Sequence, residues 1–380
     1  MKKDRRRFAL WVPLLAAALL AVWFAGATPT ALAAKVYKLT LATQHPAEAP
    51  MNKVVNTAWG NYLEKASKGR LKIVPFPGEQ AAKAPDAYDA ARTGLVDIAC
   101  QMHAFAGGRF PLSEVTSLPF IVDFPGSRSV ALTTMALYNK YPEIQAEYKG
   151  VKVLGFHANG LSHVHTTKKP VKRLEDLKGL VMNCLGKYGV QAVKALGGTP
   201  EALLPSEMYD AMAKGVLDGN FLEWEGQFIW HLKELTHYST QVGMALFTFV
   251  HVINKKKLKK LPQDLQDIIM GEESLKTFEH QGYNFDKDDI MFKGILDKQY
   301  KKEGGEGVYI LPPEEKARWK KAVAPVVEGW VKEASAKIGE AKARAILADA
   351  IKFGKQFGGY PDEACPTCGP TLKAWGAPGY

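Results

Sequence analysis

The chain has 380 residues, of which 47% are hydrophobic, 10% aromatic and 23% charged. This balance is typical of a globular protein with a sizeable core, and it excludes an intrinsically disordered, collagen-like or small disulfide-stapled protein. The length predicts two domains. The formal net charge of +11 includes +4 from the N-terminal segment described next, and the remaining +7 is too modest to argue for a nucleic-acid partner.

Residues 1–33 have the pattern of an export signal rather than of a folded segment. A basic start is followed by an apolar run from Phe8 to Ala25 and by an A-x-A cleavage site at 31–33. Because this segment carries five basic residues and one acidic residue, its removal lowers the formal net charge to +7. A retained membrane anchor is disfavoured, since the run is shorter than the roughly 20 residues that span a bilayer and contains Pro13.

The export route has two interpretations. The stretch Arg5-Arg6-Arg7-Phe8 fits a twin-arginine signal, but the lysine expected after the apolar pair is missing, so the Sec route stays open. Both routes place the mature protein, cleaved near Ala33, in the periplasm. No later apolar run is long enough to predict a membrane span.

Alternating strands and helices open the mature chain. Strands are predicted at Tyr37–Ala42, Leu71–Phe76 and Val96–Cys100 from their short apolar or alternating runs. A one-sided apolar stripe from Met51 to Leu63 predicts the first intervening helix, and Pro85–Thr93 predicts the second. This β-α-β-α-β order indicates a mainly parallel sheet covered by helices, with ligand groups beyond the carboxyl ends of the strands.

The pattern restarts in the second part of the chain. Strands are predicted at Val151–Phe156 and Leu180–Cys184, with a helix after Gly186. Ser206 is a candidate N-cap for a helix through Lys214, since its hydroxyl could accept a bond from the first turn. A second α/β unit therefore follows the first.

One long amphipathic helix is predicted from about Asp264 to Tyr300, although Gly271 and Gly282 weaken its continuity. At about 1.5 Å per residue such a helix could brace two domains. A C-terminal helix follows around Trp319 to Trp330, with a kink or break expected at Pro325.

Several stretches in a fixed order resemble the solute-binding proteins of tripartite ATP-independent periplasmic (TRAP) transporters, of the dicarboxylate-binding, DctP-like family. The resemblance covers the chain from about Tyr37 to Val331. The stretches that carry it are YLEKASKGRLKIVPFPGEQ, AARTGLVDIA, SLPFIVDFP, KKPVKRLEDLKGL, GGTPEALLPSEMYDAMAKGVLDG and VINKKKLKKLPQDLQDII.

The resemblance implies an α/β fold with the two-lobed architecture of periplasmic binding proteins and a long helix bridging the lobes. It also implies a non-enzymatic receptor that closes over a small organic solute and delivers it to TRAP-type permease subunits in the membrane. The expected divisions are a signal peptide (1–33), lobe I (34–157, with part of 248–262 returning to it), lobe II (158–247), the bridging helix (263–302), a C-terminal strand and helices (303–355) and a tail (356–380).

The family usually places an arginine in the strand after the LKGL turn, where it forks onto the solute carboxylate. In this chain the corresponding position holds Asn183. An amide can hydrogen-bond but cannot neutralise a buried carboxylate, so we expect Asn183 to touch an uncommon solute. Candidates are a polyol, an amino alcohol, an aromatic or amide-bearing compound, or an acid held by histidine. The alternative is that Asn183 is a buried amide satisfied by the backbone.

Other candidate ligand-binding residues follow the ends of predicted strands, where binding groups collect. Trp224 could stack on a solute or bind a cation with Glu223, or it could pack in an aromatic core. Glu223 could equally be a solvated or helix-capping residue. The remaining candidates are Asn159, His163, His45 and Gln101, and His163 is the nearest match to a basic residue that many family members carry after the Asn-Gly turn.

Motifs for other functions are missing from the sequence. His163-x-His165 has no partner at a recognised metal-ligand spacing and HExxH is absent, so no metal site is predicted. No Walker loop, no GxGxxG after a strand and no GxSxG elbow occurs, so no cofactor and no hydrolase activity are predicted. The basic run at 255–260 is interpreted as a solvated helix start.

Cysteine usage fits an oxidising compartment. Cys365-Pro366-Thr367-Cys368 lies in the tail, outside the resemblance, and we expect the pair to form a structural disulfide. Cys100 and Cys184 are expected to be small buried hydrophobes. A ligand-binding sensory protein or a disulfide-active periplasmic protein remains the alternative function, and alanine at both tail cysteines would separate the redox version from a receptor.

Overall fold

Two mixed β-sheets organise the chain. The computed structural model describes residues 35–122 and 126–380, so the predicted signal peptide lies outside the described residues. The strands of the described residues are β1 (Tyr37–Ala42), β2 (Leu71–Phe76), β3 (Ile98–Met102), β4 (Val151–Ala158), β5 (His163–Thr166), β6 (Val181–Asn183), β7 (Thr199–Glu201), β8 (Gly219–Leu222), β9 (Tyr238–Gln241), β10 (Thr248–Asn254) and β11 (Tyr309–Ile310).

The first sheet has the strand order β2-β1-β3-β10-β4. Strands β1, β2 and β3 run parallel, as expected for β-α-β units, because each is followed by a helix that returns the chain. Strand β10 enters from much later in the sequence and pairs antiparallel with both β3 and β4. The sheet is therefore mixed rather than mainly parallel.

The second sheet has the order β11-β9-β5-β8-β6-β7. Strands β6, β7 and β8 pair in parallel, as do β9 and β11, and β5 pairs antiparallel with β8 and β9. We call the part of the chain built on the first sheet the first lobe and the part built on the second sheet the second lobe. Two of the connections between them run directly from strand to strand, from β4 to β5 and from β9 to β10.

Helices cover both sheets. The α-helices are α1 (Pro50–Asn52), α2 (Gly60–Ala66), α3 (Ala87–Thr93), α4 (Ser127–Lys140), α5 (Pro142–Ala146), α6 (Gly186–Ala195), α7 (Pro205–Ala213), α8 (Trp224–Ile229), α9 (Lys255–Lys259), α10 (Gln263–Met270), α11 (Glu272–Leu275), α12 (Thr277–Lys302), α13 (Pro313–Ile338), α14 (Glu340–Phe357), α15 (Pro361–Ala364) and α16 (Cys368–Ala374). A π-helix (Lys53–Trp59) separates α1 from α2, and 3₁₀ segments lie at Ala84–Asp86, His103–Phe105, Ser113–Ser117, Leu174–Leu177 and Leu232–Glu234.

The prediction of one continuous helix over 263–302 is wrong. The segment forms α10, α11 and α12, because Gly271 adopts an extended conformation (φ −66°, ψ 151°) that no helix accommodates. Gly282, by contrast, lies inside α12. The 26-residue α12 packs on α4, β4 and the π-helix on one side and on α8 on the other, so it ties the two lobes.

Two helices also differ in detail from the sequence prediction. The N-cap of α7 is Leu204, because Pro205 occupies the first helical turn and the Glu207 carboxylate accepts the Leu204 N–H at 2.9 Å. Ser206 therefore lies inside the helix and is not its cap. Helix α13 runs through Pro325 without a break.

A close approach between β4 and α12 fixes one face of the first sheet. Gly155 lies opposite His251 in the β4–β10 pairing. A Cβ atom on Gly155 would lie 2.2 Å from Phe278 Cδ2, so only glycine lets α12 pack this near. Leu39, Ile98 and Phe278 belong to the same buried cluster, which links the sheet to the helices on this face.

The C-terminal tail folds back onto α12. Cys365 and Cys368 are joined by a disulfide, and both pack with Val54, Ala58 and Tyr283. The tail forms α15 just before Cys365 and α16, which begins at Cys368. No helix within the described residues is long and apolar enough to cross a membrane.

Candidate functional site

The two direct strand-to-strand connections between the lobes lie side by side. They are residues 159–162, after β4, and residues 242–247, before β10, and we call them the crossover pair. Asn159 N–H donates to Phe247 O at 3.3 Å, Ser162 N–H to Ala245 O at 2.7 Å, and Met244 N–H to Ser162 O at 3.0 Å. These bonds continue the sheet pairing from one lobe into the other, so the pair has the geometry of a hinge.

Asn159 holds the crossover pair to the second lobe. Its Oδ1 accepts the Phe247 N–H at 2.7 Å, and its Nδ2 donates to Glu223 Oε2 at 2.9 Å. Glu223 follows β8 directly and is buried. Burial raises the pKa of Glu223 to about 7, partly offset by the bond from Asn159. Both residues therefore serve the hinge in this structure.

His163 and Trp224 form the next layer beyond Asn159. His163 Nδ1 accepts the N–H groups of Val242 and Gly243 at 3.2 and 3.0 Å, so this nitrogen is deprotonated and the ring lies in its Nε2–H form. The ring stacks on Trp224 with centroids 4.3 Å apart. Trp224 also packs against Leu296 and Tyr300 of α12. The core-packing interpretation of Trp224 fits this geometry.

Between the lobes lies an apolar cluster, which we call the interlobe cluster. The first lobe and α12 supply Met51, Cys100, Met102, Phe249 and Phe285, the second lobe supplies Leu185, Met208, Ala211, Met212, Leu217, Leu222 and Leu232, and the crossover pair supplies Phe247. The lobes touch directly, since a Cβ on Gly186 would lie 2.7 Å from Ala104 Cβ. The structure thus holds the lobes close together.

A small opening leads in from solvent beside this cluster. It has a volume of about 130 Å³ and is bounded by both lobes, with Gln44, Pro46 and Phe105 on one side and Leu204 and Trp230 on the other. Ligand pockets usually enclose about 300–1,000 Å³. The opening is therefore the mouth of a cleft whose interior the apolar side chains fill.

Asn183 lies at the end of β6, fully buried, and pairs in register with Asn220 of β8. Its Oδ1 accepts the Leu203 N–H at 2.9 Å. Its Nδ2 has no hydrogen-bond partner among the described residues. A buried amide donor without a partner costs about 1–3 kcal/mol, so this N–H group is available for a ligand acceptor.

His45 and Gln101 differ in how completely they are bonded. His45 follows β1, and its ring lies 5.4 Å from Phe249 with Nδ1 lacking a partner among the described residues. Gln101 accepts the Tyr88 N–H and donates to Ala84 O and Met102 O. Both N–H groups of Gln101 are therefore bonded inside the first lobe. His45 is the better candidate of the two for a ligand contact.

Positive charge is scarce inside this part of the molecule. Within residues 35–122 and 126–380, no lysine or arginine is buried. Burial lowers the pKa of His45 to about 4 and holds that of His163 well below its usual range, where the neighbouring His165 lowers it further. These imidazoles are neutral at pH 7, so none supplies a cation for a buried carboxylate.

The comparisons with known proteins agree with this architecture. The family model described as bacterial extracellular solute-binding protein, family 7, matches residues 41–333. The chain belongs to this family. It is therefore a solute-binding receptor of the TRAP type, and the DctP-like resemblance is confirmed.

Three family 7 relatives share about a quarter of their aligned residues with this chain. The C4-dicarboxylate-binding periplasmic protein DctP of Rhodobacter capsulatus is 24% identical over 290 residues, which cover 75% of this chain and 83% of that protein. A TRAP solute-binding protein of Rhodoferax ferrireducens, crystallised with copurified benzoate, has a TM-score of 0.77 at 26% identity and covers 84% of this chain and 98% of its own. One from Bordetella bronchiseptica with bound mandelate has a TM-score of 0.75 at 28% identity, covering 85% and 100%.

Sequence reasoning for this family 7 receptor missed a buried acidic group beside the hinge. Both carboxylate oxygens of Glu225 and Asp289 Oδ2 lack partners among the described residues, while Asp289 Oδ1 accepts the Trp224 N–H at 3.2 Å. Burial raises the pKa of both carboxyls well above the usual range, and neighbouring carboxylates raise it further. The long-helix pattern placed Asp289 on α12 but gave no sign that α8 covers it.

Proposed function

We propose that this receptor is exported, binds a small aromatic or otherwise largely apolar solute without a permanent negative charge, and delivers it to a TRAP-type permease. One observation carries the solute class. Asn183 presents an unpartnered amide donor beside an apolar interlobe cluster, and no lysine or arginine is buried in the described part of the chain.

The electrostatics favour a neutral solute. Transfer of an ionised carboxylate into an apolar cleft costs several kcal/mol unless a cation or several donors compensate. Asn183 offers one amide donor, and the adjacent histidines are neutral at pH 7. A carbonyl, hydroxyl or amide oxygen needs only such a hydrogen bond, so a neutral polar group satisfies Asn183 without leaving a buried charge.

The apolar lining favours a ring or another compact apolar body. Phe249 of the first lobe and Leu185 and Met208 of the second belong to the interlobe cluster, and a methionine side chain can adapt its shape to a flat solute. A solute that separates these side chains and contacts both lobes would hold the lobes together, which is how a binding protein couples closure to occupancy. The relatives with bound benzoate and mandelate support an aromatic solute. We do not extend the carboxylate group of those ligands to the solute of this chain.

Isothermal titration with three ring-matched compounds tests the solute class. We expect benzamide and benzyl alcohol to bind the mature protein and benzoate to bind at least tenfold more weakly. The variant Asn183→Arg should reverse this order, because a guanidinium forks onto a carboxylate. Asn139→Arg is the matched control, since Asn139 is exposed on α4 and the same charge there should leave the order unchanged.

The solute proposal fails if benzoate binds the unmodified protein more tightly than both neutral compounds. In that case a carboxylic acid is the solute, and a group such as His45 would have to be protonated on binding. Benzoate affinity would then rise steeply as the pH falls toward 5, which a titration series at three pH values would show.

Export and delivery need their own tests. We expect the mature protein in the periplasmic fraction with an N-terminus at Ala34, as determined by mass spectrometry of the intact chain. Uptake of the bound solute by proteoliposomes that contain a TRAP-type permease should require this protein. A full-length chain retained in the membrane fraction would contradict export as a cleaved receptor.

A further inference from the structure

Three metal-ligating side chains from different strands meet on one face of the first sheet. Cys100 of β3 lies directly opposite His251 of β10, and His157 of β4 lies opposite Phe249, two residues along β10. All three side chains are buried. One ligand atom from each, a thiol sulfur and two ring nitrogens, lies within 4.8 Å of the others.

The two imidazoles of this cluster are incompletely bonded. His251 Nε2 and His157 Nδ1 lie 3.0 Å apart and share one hydrogen bond. His157 Nε2 and His251 Nδ1 have no partner among the described residues. Whichever ring donates the shared proton, the two neutral rings leave one buried N–H and one buried lone pair unused. A metal ion between His251 Nε2 and His157 Nδ1 would take the place of the shared proton, with each ring in the tautomer that carries its N–H on the outer nitrogen.

Aromatic packing holds the rings in place. Phe249 and Phe285 stack on His157 with interplanar angles of 11° and 9°, and Phe278 packs on His251 at 4.8 Å. Cys100 is a free thiol. The donor atoms are therefore preorganised by a rigid, apolar shell, which is how proteins fix a metal site and exclude water from it.

We propose that Cys100, His157 and His251 bind one monovalent copper ion. Thiolate sulfur and imidazole nitrogen are the soft and borderline ligands that copper and zinc prefer. The two metals differ in the net charge of the centre that they form. Cu⁺ with one thiolate and two neutral imidazoles gives a neutral centre, whereas Zn²⁺ with the same ligands leaves a net positive charge in an apolar core. On binding, the Cys100 S–H bond breaks, the sulfur–copper bond forms and the proton leaves to buffer, with no change in oxidation state.

The copper site does not depend on the solute proposal. It uses neither Asn183 nor the crossover pair, and its three residues belong to the first lobe alone. Cys100 and the neighbouring Phe249 and Phe285 also belong to the interlobe cluster, but copper binding and solute binding have separate measurements. The two proposals can therefore fail separately.

Copper binding can be measured by anaerobic competition between the mature protein and the chromophoric chelator bathocuproine disulfonate, with Cu⁺ supplied as its acetonitrile complex. Omission of thiol reductants keeps the Cys365–Cys368 disulfide intact, since reduced tail cysteines would bind copper themselves. We expect the unmodified protein to withhold one equivalent of Cu⁺. The Cys100→Ser variant should lose at least a hundredfold in affinity, and His157→Phe, which preserves the aromatic stack, should lose at least tenfold.

The matched control is Cys184→Ser, because Cys184 is the other buried free cysteine among the described residues and has no histidine cluster beside it. It should bind copper as the unmodified protein does. X-ray absorption of the copper-loaded protein should show one sulfur and two nitrogen neighbours, a readout that survives even if a variant fails to fold. The proposal is overturned if the chelator keeps all the copper, if Cys100→Ser still withholds it, or if Zn²⁺ displaces Cu⁺ at equal concentration.

Discussion

Asn159 donates from its side-chain amide to the Glu223 carboxylate at 2.9 Å, and this bond joins the hinge to the end of strand β8. The same amide accepts the Phe247 N–H from the other crossover segment. One buried side chain therefore connects both segments of the crossover pair to the second lobe. Because burial raises the pKa of Glu223 to about 7, the charge at this junction changes near neutral pH.

The stability of the protein should depend on pH through Glu223. Its pKa is about 7 in the folded chain and about 4.5 in the unfolded chain, so the unfolded state ionises first as the pH rises. Folding stability is then lost between these two values, by up to about 3 kcal/mol on an order-of-magnitude basis. We expect Glu223→Gln, which keeps the acceptor for Asn159, to gain stability relative to the unmodified protein between pH 5 and pH 8.

Urea unfolding of the two proteins at several pH values measures this difference. The buried histidines, whose pKa values burial lowers, change stability below about pH 6.5, but they are present in both proteins and cancel in the comparison. A constant difference across the range would show that Glu223 has an ordinary pKa in the folded state.

The Asn159 amide should contribute to stability through both of its bonds. Asn159→Ala leaves the Phe247 N–H and the Glu223 carboxyl without their partner, and each buried orphan costs about 1–3 kcal/mol. We expect a loss of about 2–4 kcal/mol in the free energy of unfolding. Asn139→Ala, at an exposed position, should change stability by less than about 0.5 kcal/mol. Equal effects of the two substitutions on the free energy of unfolding would contradict a stabilising role of the two Asn159 hydrogen bonds.

Two glycines near α12 should respond in opposite ways to alanine. Gly155→Ala places a methyl group 2.2 Å from Phe278 Cδ2, so we expect a loss of at least about 2 kcal/mol as the strand and helix separate. Gly294 lies within α12 with nothing near its Cβ direction. Gly294→Ala should therefore stabilise the protein by up to about 1 kcal/mol. Thermal unfolding of both variants decides the matter, and a stable Gly155→Ala protein would disprove the close approach.

The tail disulfide should be structural. Cys365 and Cys368 are buried against α12, beside Tyr283, whose hydroxyl donates to Asp362 at 2.6 Å. Replacing both cysteines by alanine should leave solute affinity unchanged and cost roughly 2 kcal/mol in the chain-entropy model for so short a loop. Hydrogen exchange should rise in residues 361–380 but not in the first sheet. A fall in solute affinity would favour a role for the tail in binding.

Local patterns were sufficient for the family and for much of the secondary structure. Strands β1 and β2 begin and end at the predicted residues, because each is bounded by turn-forming residues that the sequence displays. The long helix was predicted too far toward its N-terminus, since periodicity continued through Gly271 although the backbone there is extended. The spacing of apolar residues does not reveal a break in a helix when the buried face continues on both sides of the break.

Only part of the candidate site could be predicted from the sequence. Position alone indicated Asn183, because the resemblance assigns that place to an arginine. Asn159, His163 and Trp224 were also selected by position, yet the hydrogen bonds and ring contacts that tie them to the crossover pair link residues 61 to 88 positions apart. Such partners depend on how two lobes pack, which no local pattern encodes.

The sequence by itself determined the family and the alternation of strands and helices, because these depend on residue identity and short-range spacing. Only the tertiary structure decided which polar groups are buried without partners. Cys100, His157 and His251 come together because β10 inserts antiparallel between β3 and β4, a pairing between segments about 90 to 150 residues apart that the free energy of packing the whole sheet selects.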